Sequence, residues 1–86
     1  MLSILIPTYN YDCTSLVSDL QQQAQQAGID YEIIVADDAS PMLIYKEKNR
    51  EVNELPHCRL IELNKNIGRA RIRNLLAEEA QYPWLL

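Results

Sequence analysis

Short apolar runs alternate with longer amphipathic stretches along this chain. Ser3–Ile6 is apolar, too short for a helix and stopped by Pro7, so it reads as a buried strand. Thr8–Asp12 is a polar loop, and Asp12 or Thr14 can cap the helix that follows. That helix carries Leu16, Val17, Leu20, Ala24 and Ala27 at spacings that place them on one face. The glutamines from Gln21 to Gln26 mostly fill the solvated side, and Gly28 stands where a left-handed cap belongs. Tyr31–Ala36 has a continuous apolar centre, as expected of a strand covered on both faces. Ser40 and Pro41 read as N-cap and first helical position, and a weakly patterned helix runs on to about Asn53. Arg59–Leu63 is a third strand and Asn64–Gly68 a turn. Arg69–Ala80 is a helix with Ile72, Leu75, Leu76 and Ala80 along one stripe, and Pro83–Leu86 opens a fourth apolar run.

The order β-α-β-α-β-α-β predicts an α/β fold with three layers, α/β/α, around a parallel sheet joined by right-handed crossovers. In open sheets of this kind ligands bind beyond the carboxyl ends of the strands. Pro7–Asn10, Asp37–Ser40 and Asn64–Gly68 lie at those ends, so parallel strands bring them to one edge. Each segment also has an ordinary reading. Pro7–Asn10 can simply lead into a helix, Asp37 and Asp38 can favour a helix N-terminus, and Asn64–Gly68 can be only a turn. Two adjacent carboxylates are costly at a strand end unless solvated or partnered. A carboxylate is also a suitable acceptor for a ring N–H or a ribose hydroxyl.

Composition narrows the partners. The net charge is -4, and the only basic cluster is Arg69, Arg71 and Arg73. That argues against nucleic acid or an anionic membrane, which call for a basic surface. Arg69 and Arg73 sit four apart near a helix N-terminus, where cations oppose the helix dipole. The arrangement suits either a small anion such as a diphosphate or a solvated face paired with nearby acids. Cys13, Cys58 and His57 lack metal-ligand spacing, so no metal site is expected among them. His57 precedes the third strand, away from the ligand edge, and reads as a surface residue. Neither G-x-G-x-x-G nor G-x-x-x-x-G-K-[ST] occurs, which argues against a nicotinamide dehydrogenase or a P-loop NTPase. With no signal peptide and no membrane-length apolar run, the expected location is cytoplasmic; a parent held on the cytoplasmic side of a membrane remains compatible.

Taken together, these residues resemble the family 2 glycosyltransferases of the GT-A fold. Ser3–Asn10, S-I-L-I-P-T-Y-N, is similar to the family's first strand and loop. Ile33–Ser40, I-I-V-A-D-D-A-S, resembles its second strand and V-D-D-G-S motif, with Ala39 where Gly is common. Asn66–Asn74 resembles N-x-G-x-x-x-A-R-N, with Ile72 where Ala is common before Arg73. The resemblance spans Ser3 to Leu86 and implies the Rossmann-like N-terminal half of a GT-A domain, so that residues 1–86 form one incomplete domain. It implies that Pro7, Thr8 and Tyr9 border the nucleotide base and that Asp38 accepts a hydrogen bond from it. Asp37 would flank the ribose, Gly68 would allow close approach of its loop, and Arg73 and Asn74 would line the pocket.

By the same resemblance, a parent protein transfers a sugar from a nucleotide diphosphate sugar, expected to be uridine-linked, to a hydroxyl acceptor with inversion. A D-x-D motif beyond the fourth strand would hold a divalent cation, Mn or Mg, and a later carboxylate would be the general base. No catalytic or metal-binding residue is assigned within these 86 residues, and the chain alone is expected to be inactive. Two alternatives stand beside this reading. One is a non-catalytic nucleotide-binding or interaction module. The other is a receiver-like signalling domain, which would need a phospho-accepting Asp where Asn64 stands. The open sheet edge leads to an expectation of self-association.

Overall fold

The computed structural model describes residues 1–82 and the backbone of Trp84–Leu85. The elements are β1 (Leu2–Thr8), α1 (Thr14–Ala27), β2 (Tyr31–Asp37), α2 (Leu43–Asn49), a 3₁₀ helix (Arg50–Glu54), β3 (Cys58–Glu62), α3 (Arg69–Glu79) and β4 (Trp84–Leu85). The sheet is parallel throughout, in the order β3-β2-β1-β4. The first two crossovers step outward in one direction and the third returns to the far side of β1. Right-handed connections therefore put α1 and the 3₁₀ helix on one face and α3 on the other. This is the expected three-layer α/β/α arrangement. Of the fourth apolar run, Pro83 and Leu86 lie outside the described residues.

β2 is covered on both faces, and every residue in it is buried. Alternation then divides the core. Ile33 and Val35 join Ile4, Cys13, Val17, Ala24 and Val52 on the α1 side. Ile34 and Ala36 join Ile72 and Leu76 on the α3 side. Side chains such as Ile33 and Ile34, wholly out of water, each contribute about 1.5–3 kcal/mol relative to exposure.

Several elements depart from the sequence expectation for identifiable reasons. β1 continues through Pro7 instead of ending there. The Leu2 N–H donates to the Asp30 carbonyl and the Thr8 carbonyl accepts from the Asp38 N–H, so the even residues bond towards β2. Pro7 therefore turns its nitrogen to the other side, where the described β4 pairs only with Leu2 and Ser3. A proline there removes no ladder bond. α2 begins at Leu43 rather than at Pro41, because the Ser40 side chain bonds to Asp37 and Asn10 instead of capping. On α1, Leu16 is exposed and Ala27 is exposed, whereas Gln21 is buried. The Gln21 amide donates to the Tyr31 hydroxyl at 3.1 Å, which satisfies a polar group that would otherwise be costly to bury. On α3, Ile72 and Leu76 are buried, while Leu75 and Ala80 are only half-buried.

A polar clasp closes the amino end of the sheet. The buried Glu32 carboxylate accepts the Ser3 hydroxyl at 2.6 Å and the Gln81 N–H, and Ser3 Oγ in turn accepts the Tyr82 N–H at 3.2 Å. At the other end of the core, Asn49 lies buried in α2. Its Oδ1 accepts the Cys13 N–H at 2.9 Å at the start of α1, and its amide donates to the Tyr11 carbonyl at 2.7 Å. His57 is exposed as expected, with its ring edge-on to Tyr31.

Both cysteines are free, and burial pushes each thiol from its ordinary 9.0 up to about 11. The thiolate is the reactive form, so both should resist alkylation at pH 8 in the folded state. A raised acid pKa also fixes the sign of the pH dependence. Between pH 9 and 11 the unfolded thiols lose protons that the folded ones keep, so stability is full below pH 9 and falls through that window. Urea melts at pH 8, 9 and 10 should show this fall, and it should flatten in a double Cys13→Ala, Cys58→Ala variant.

Candidate functional site

Three loops meet at the carboxyl edge of the sheet: Tyr9–Asp12 after β1, Asp38–Met42 after β2 and Leu63–Gly68 after β3. Backbone bonds extend the ladder into them. The Asp38 N–H donates to the Thr8 carbonyl at 2.9 Å and the Leu63 N–H to the Asp37 carbonyl at 3.0 Å. The sheet order reverses between β1 and β4, so the crevice there is the topological switch point where this architecture binds ligands.

The two adjacent carboxylates part company. Consecutive residues of an extended strand point to opposite faces, and Asp37 and Asp38 are 1% and 7% exposed. Asp37 turns to the α1 side, where its carboxylate accepts the Ser40 hydroxyl and, at 3.4 Å, the Ser40 N–H. Ser40 Oγ also accepts the Asn10 N–H at 2.8 Å, tying the first loop to the second. Asn10 Oδ1 accepts the Met42 N–H at 3.4 Å. Asp38 turns to the α3 side, and its two oxygens accept the Ile67 N–H at 2.7 Å and the Gly68 N–H at 3.0 Å. The Asn66 amide donates to the Asp38 carbonyl at 3.1 Å. Every donor needed to bury two acids is thus supplied by the neighbouring loops.

A cleft of about 660 Å³ opens on the α3 side beside β1, lined by Leu5, Pro7, Ala70, Arg73, Asn74, Leu76 and Ala77. The predicted site residues therefore divide. Pro7, Asp38, Gly68, Arg73 and Asn74 share the α3 side of the edge. Thr8 and Asp37 face the α1 side, where Thr8 is buried and its hydroxyl donates to the Tyr11 carbonyl at 3.4 Å. Tyr9 stands at the loop itself, 51% exposed. Arg69, Arg71 and Arg73 are exposed. Among the described residues the ion pairs are Lys48–Glu51, Arg50–Glu62 and Arg59–Glu79, and none engages those three arginines. Of the three, only Arg73 lines the cleft.

Sequence reasoning missed Ser40, Asn10 and Asn66 as site-building residues. A signal existed for Ser40: once Asp37 is placed in a strand, period-two alternation separates it from Asp38, and the nearest hydroxyl must serve it. Backbone strain marks the same loops. Ala39 has φ 59, Asn10 has φ 48 and Gly68 has φ 86 with ψ 162. Asn tolerates the left-handed region, whereas the Gly68 angles belong to glycine. A Cβ on Gly68 would meet nothing within 4 Å, so glycine is required here by its dihedral angles.

Among the described residues no divalent cation site is formed. Asp37 and Asp38 face opposite sides of the sheet and are held by separate donor sets. Among the described residues no group of three His, Cys, Asp or Glu side chains converges.

A parallel α/β domain whose loops converge at the carboxyl edge, with a switch point between β1 and β4, is what this fold defines. The glycosyl transferase family 2 model matches residues 3–86, and the chain belongs to that family. Its structure resembles the crystal structure of S. aureus TarS, with a TM-score of 0.71 and 24% identity over 99% of this chain and 15% of that one. It also resembles the S. aureus TarS 1–349 structure, with a TM-score of 0.68 and 25% identity over 99% of this chain and 26% of that one. The chain thus spans about a quarter or less of the length of these structures. No curated protein sequence matches it. No helix among the described residues is long and apolar enough to cross a membrane.

Two substitutions test the backbone argument. Gly68→Ala should lower unfolding free energy by about 1–3 kcal/mol, although space for the methyl is open. Ala39→Gly should raise it by about 0.5 kcal/mol, because relief of the left-handed alanine outweighs the added freedom of the unfolded chain. Denaturant melts of the two variants beside wild type measure both.

Proposed function

We propose that these residues are the nucleoside-binding portion of a glycosyltransferase that uses a nucleotide diphosphate sugar, uridine-linked, and transfers the sugar to a hydroxyl acceptor with inversion. The observation that carries the reading is Asp38, a carboxylate fixed on the α3 side of the ligand edge by the Ile67 and Gly68 N–H groups. Each carboxylate oxygen has acceptor capacity left for a ring N–H. Pro7 on the same side and Tyr9, exposed in the loop after β1, would supply apolar and aromatic surface for a base. Arg73, exposed and lining the adjoining cleft, is suited to the diphosphate, and Asn74 offers an amide for hydroxyls or phosphate oxygens. Thr8 and Asp37 support the edge from the α1 side, with Asp37 holding the loop that flanks the ribose.

In a longer parent the divalent cation and the general base come from residues beyond these, and this chain by itself turns nothing over. Its location in the cell is taken as cytoplasmic. Among the described residues β4 pairs with β1 only at Leu2 and Ser3, and copies of this chain should associate through the rest of that edge. A clean monomer by light scattering at high concentration would count against that association.

Binding of uridine diphosphate to this chain should be weak, near millimolar, about −4 kcal/mol. NMR titration should place the shifts at Asp38, Gly68 and Arg73. Asp38→Ala should weaken binding of both uridine and uridine diphosphate, whereas Arg73→Ala should weaken only the diphosphate. Micromolar binding that survives Asp38→Ala would sink the assignment. In a parent enzyme, Asp38→Ala should lower kcat/KM by roughly 10–100-fold, the worth of one hydrogen bond to a charged group.

A further inference from the structure

Asp38 is gripped from one direction by a single tripeptide. The Ile67 and Gly68 N–H groups take one acceptor position on each carboxylate oxygen, and the Asn66 amide takes the main-chain carbonyl of the same residue. That carbonyl belongs to the peptide leading into Ala39, whose φ is 59. The Asn66 bond therefore holds the peptide plane at the point where the chain turns out of β2, and with it the origin of the Asp38 side chain. The two N–H bonds then fix the plane of the carboxylate itself. Without Asn66, the peptide at the strained turn can rock, and the carboxylate can reach its two donors from more than one backbone position.

Asn66 is exposed and sits in the turn before α3. Its removal creates no core cavity. Its bond goes to Asp38, and it lines neither the cleft nor the sheet core.

Building on the reading of Asp38 as acceptor for the base, we infer that Asn66 is a positioning residue for nucleoside recognition. It sets the direction in which Asp38 offers its remaining lone pairs, and so sharpens the choice of a base that presents a ring N–H. Its contribution is to discrimination between bases more than to affinity in general.

The test compares uridine monophosphate with 3-methyluridine monophosphate, which lacks the ring N–H, by NMR titration of the 86-residue chain. Wild type should prefer the unmethylated nucleotide by roughly tenfold, the lower end for a hydrogen bond to a charged group. Asn66→Ala should reduce that preference to about twofold or less, through weaker binding of uridine monophosphate alone. Asn66→Asp, which keeps the shape but cannot donate, should do the same and serves if the alanine variant fails to fold. Asn64→Ala, in the same turn but not bonded to Asp38, should keep the full preference. If wild type discriminates and the Asn66 variants discriminate equally well, the positioning role is overturned, even if they melt lower. If wild type does not discriminate, or binds neither nucleotide, the base-acceptor reading itself fails and this inference with it.

Discussion

Two neighbouring carboxylates at the end of a strand covered on both faces impose the constraint from which this edge is built. An unpartnered acid in that position costs several kcal/mol. Strand geometry forbids Asp37 and Asp38 from sharing donors, since one points to each face. Two separate solutions are therefore needed, and the chain supplies them from sequence-distant loops. Ser40 serves Asp37 and collects the β1 loop through Asn10. The Asn66–Gly68 turn serves Asp38 and fixes the start of α3. The convergence of three loops is thus enforced by burial, before any ligand arrives.

That enforcement shapes what the edge can do chemically. Each acid accepts one hydrogen bond on each of its oxygens. The one on the α1 side is the more deeply buried, and the one on the α3 side stands near the crevice where the sheet order reverses. One fixed acceptor, an aromatic at the loop and a single arginine along the cleft are the features on which the proposed nucleotide recognition rests. Among the described residues the edge lacks the converging acids that would hold a cation.

Much of the architecture was legible in the pattern of apolar runs. The order of elements, the double burial of Tyr31–Ala36 and the Gly28 cap all follow from periodicity and turn chemistry, and the motif resemblance at Ser3–Asn10, Ile33–Ser40 and Asn66–Asn74 agrees with the family match. What was illegible was mostly a matter of pairing. Pro7 reads as a strand terminator until the hydrogen-bonding side of β1 is known. Gln21 reads as solvated until Tyr31 is found above it. Ser40 reads as a helix cap until strand alternation separates Asp37 from Asp38 and gives its hydroxyl to Asp37. Asn66 reads as a turn former, since its partner lies 28 positions away in the chain. Local propensity proposes a role for each residue, and a buried polar partner decides between them.

The clasp at the opposite end of the sheet bears on accuracy rather than stability. The two described residues of β4 do not choose their own alignment, because a shift by one position costs little over so short a ladder. Ser3 and Glu32 catch Gln81 and Tyr82 before the strand begins, so the count of residues between the clasp and any later position is set in advance. A slip of one residue would exchange the two sides of whatever extends β4, inverting the faces of everything aligned with it. The amino end of the sheet, remote from the ligand edge, thus acts as the ruler against which the return strand is measured.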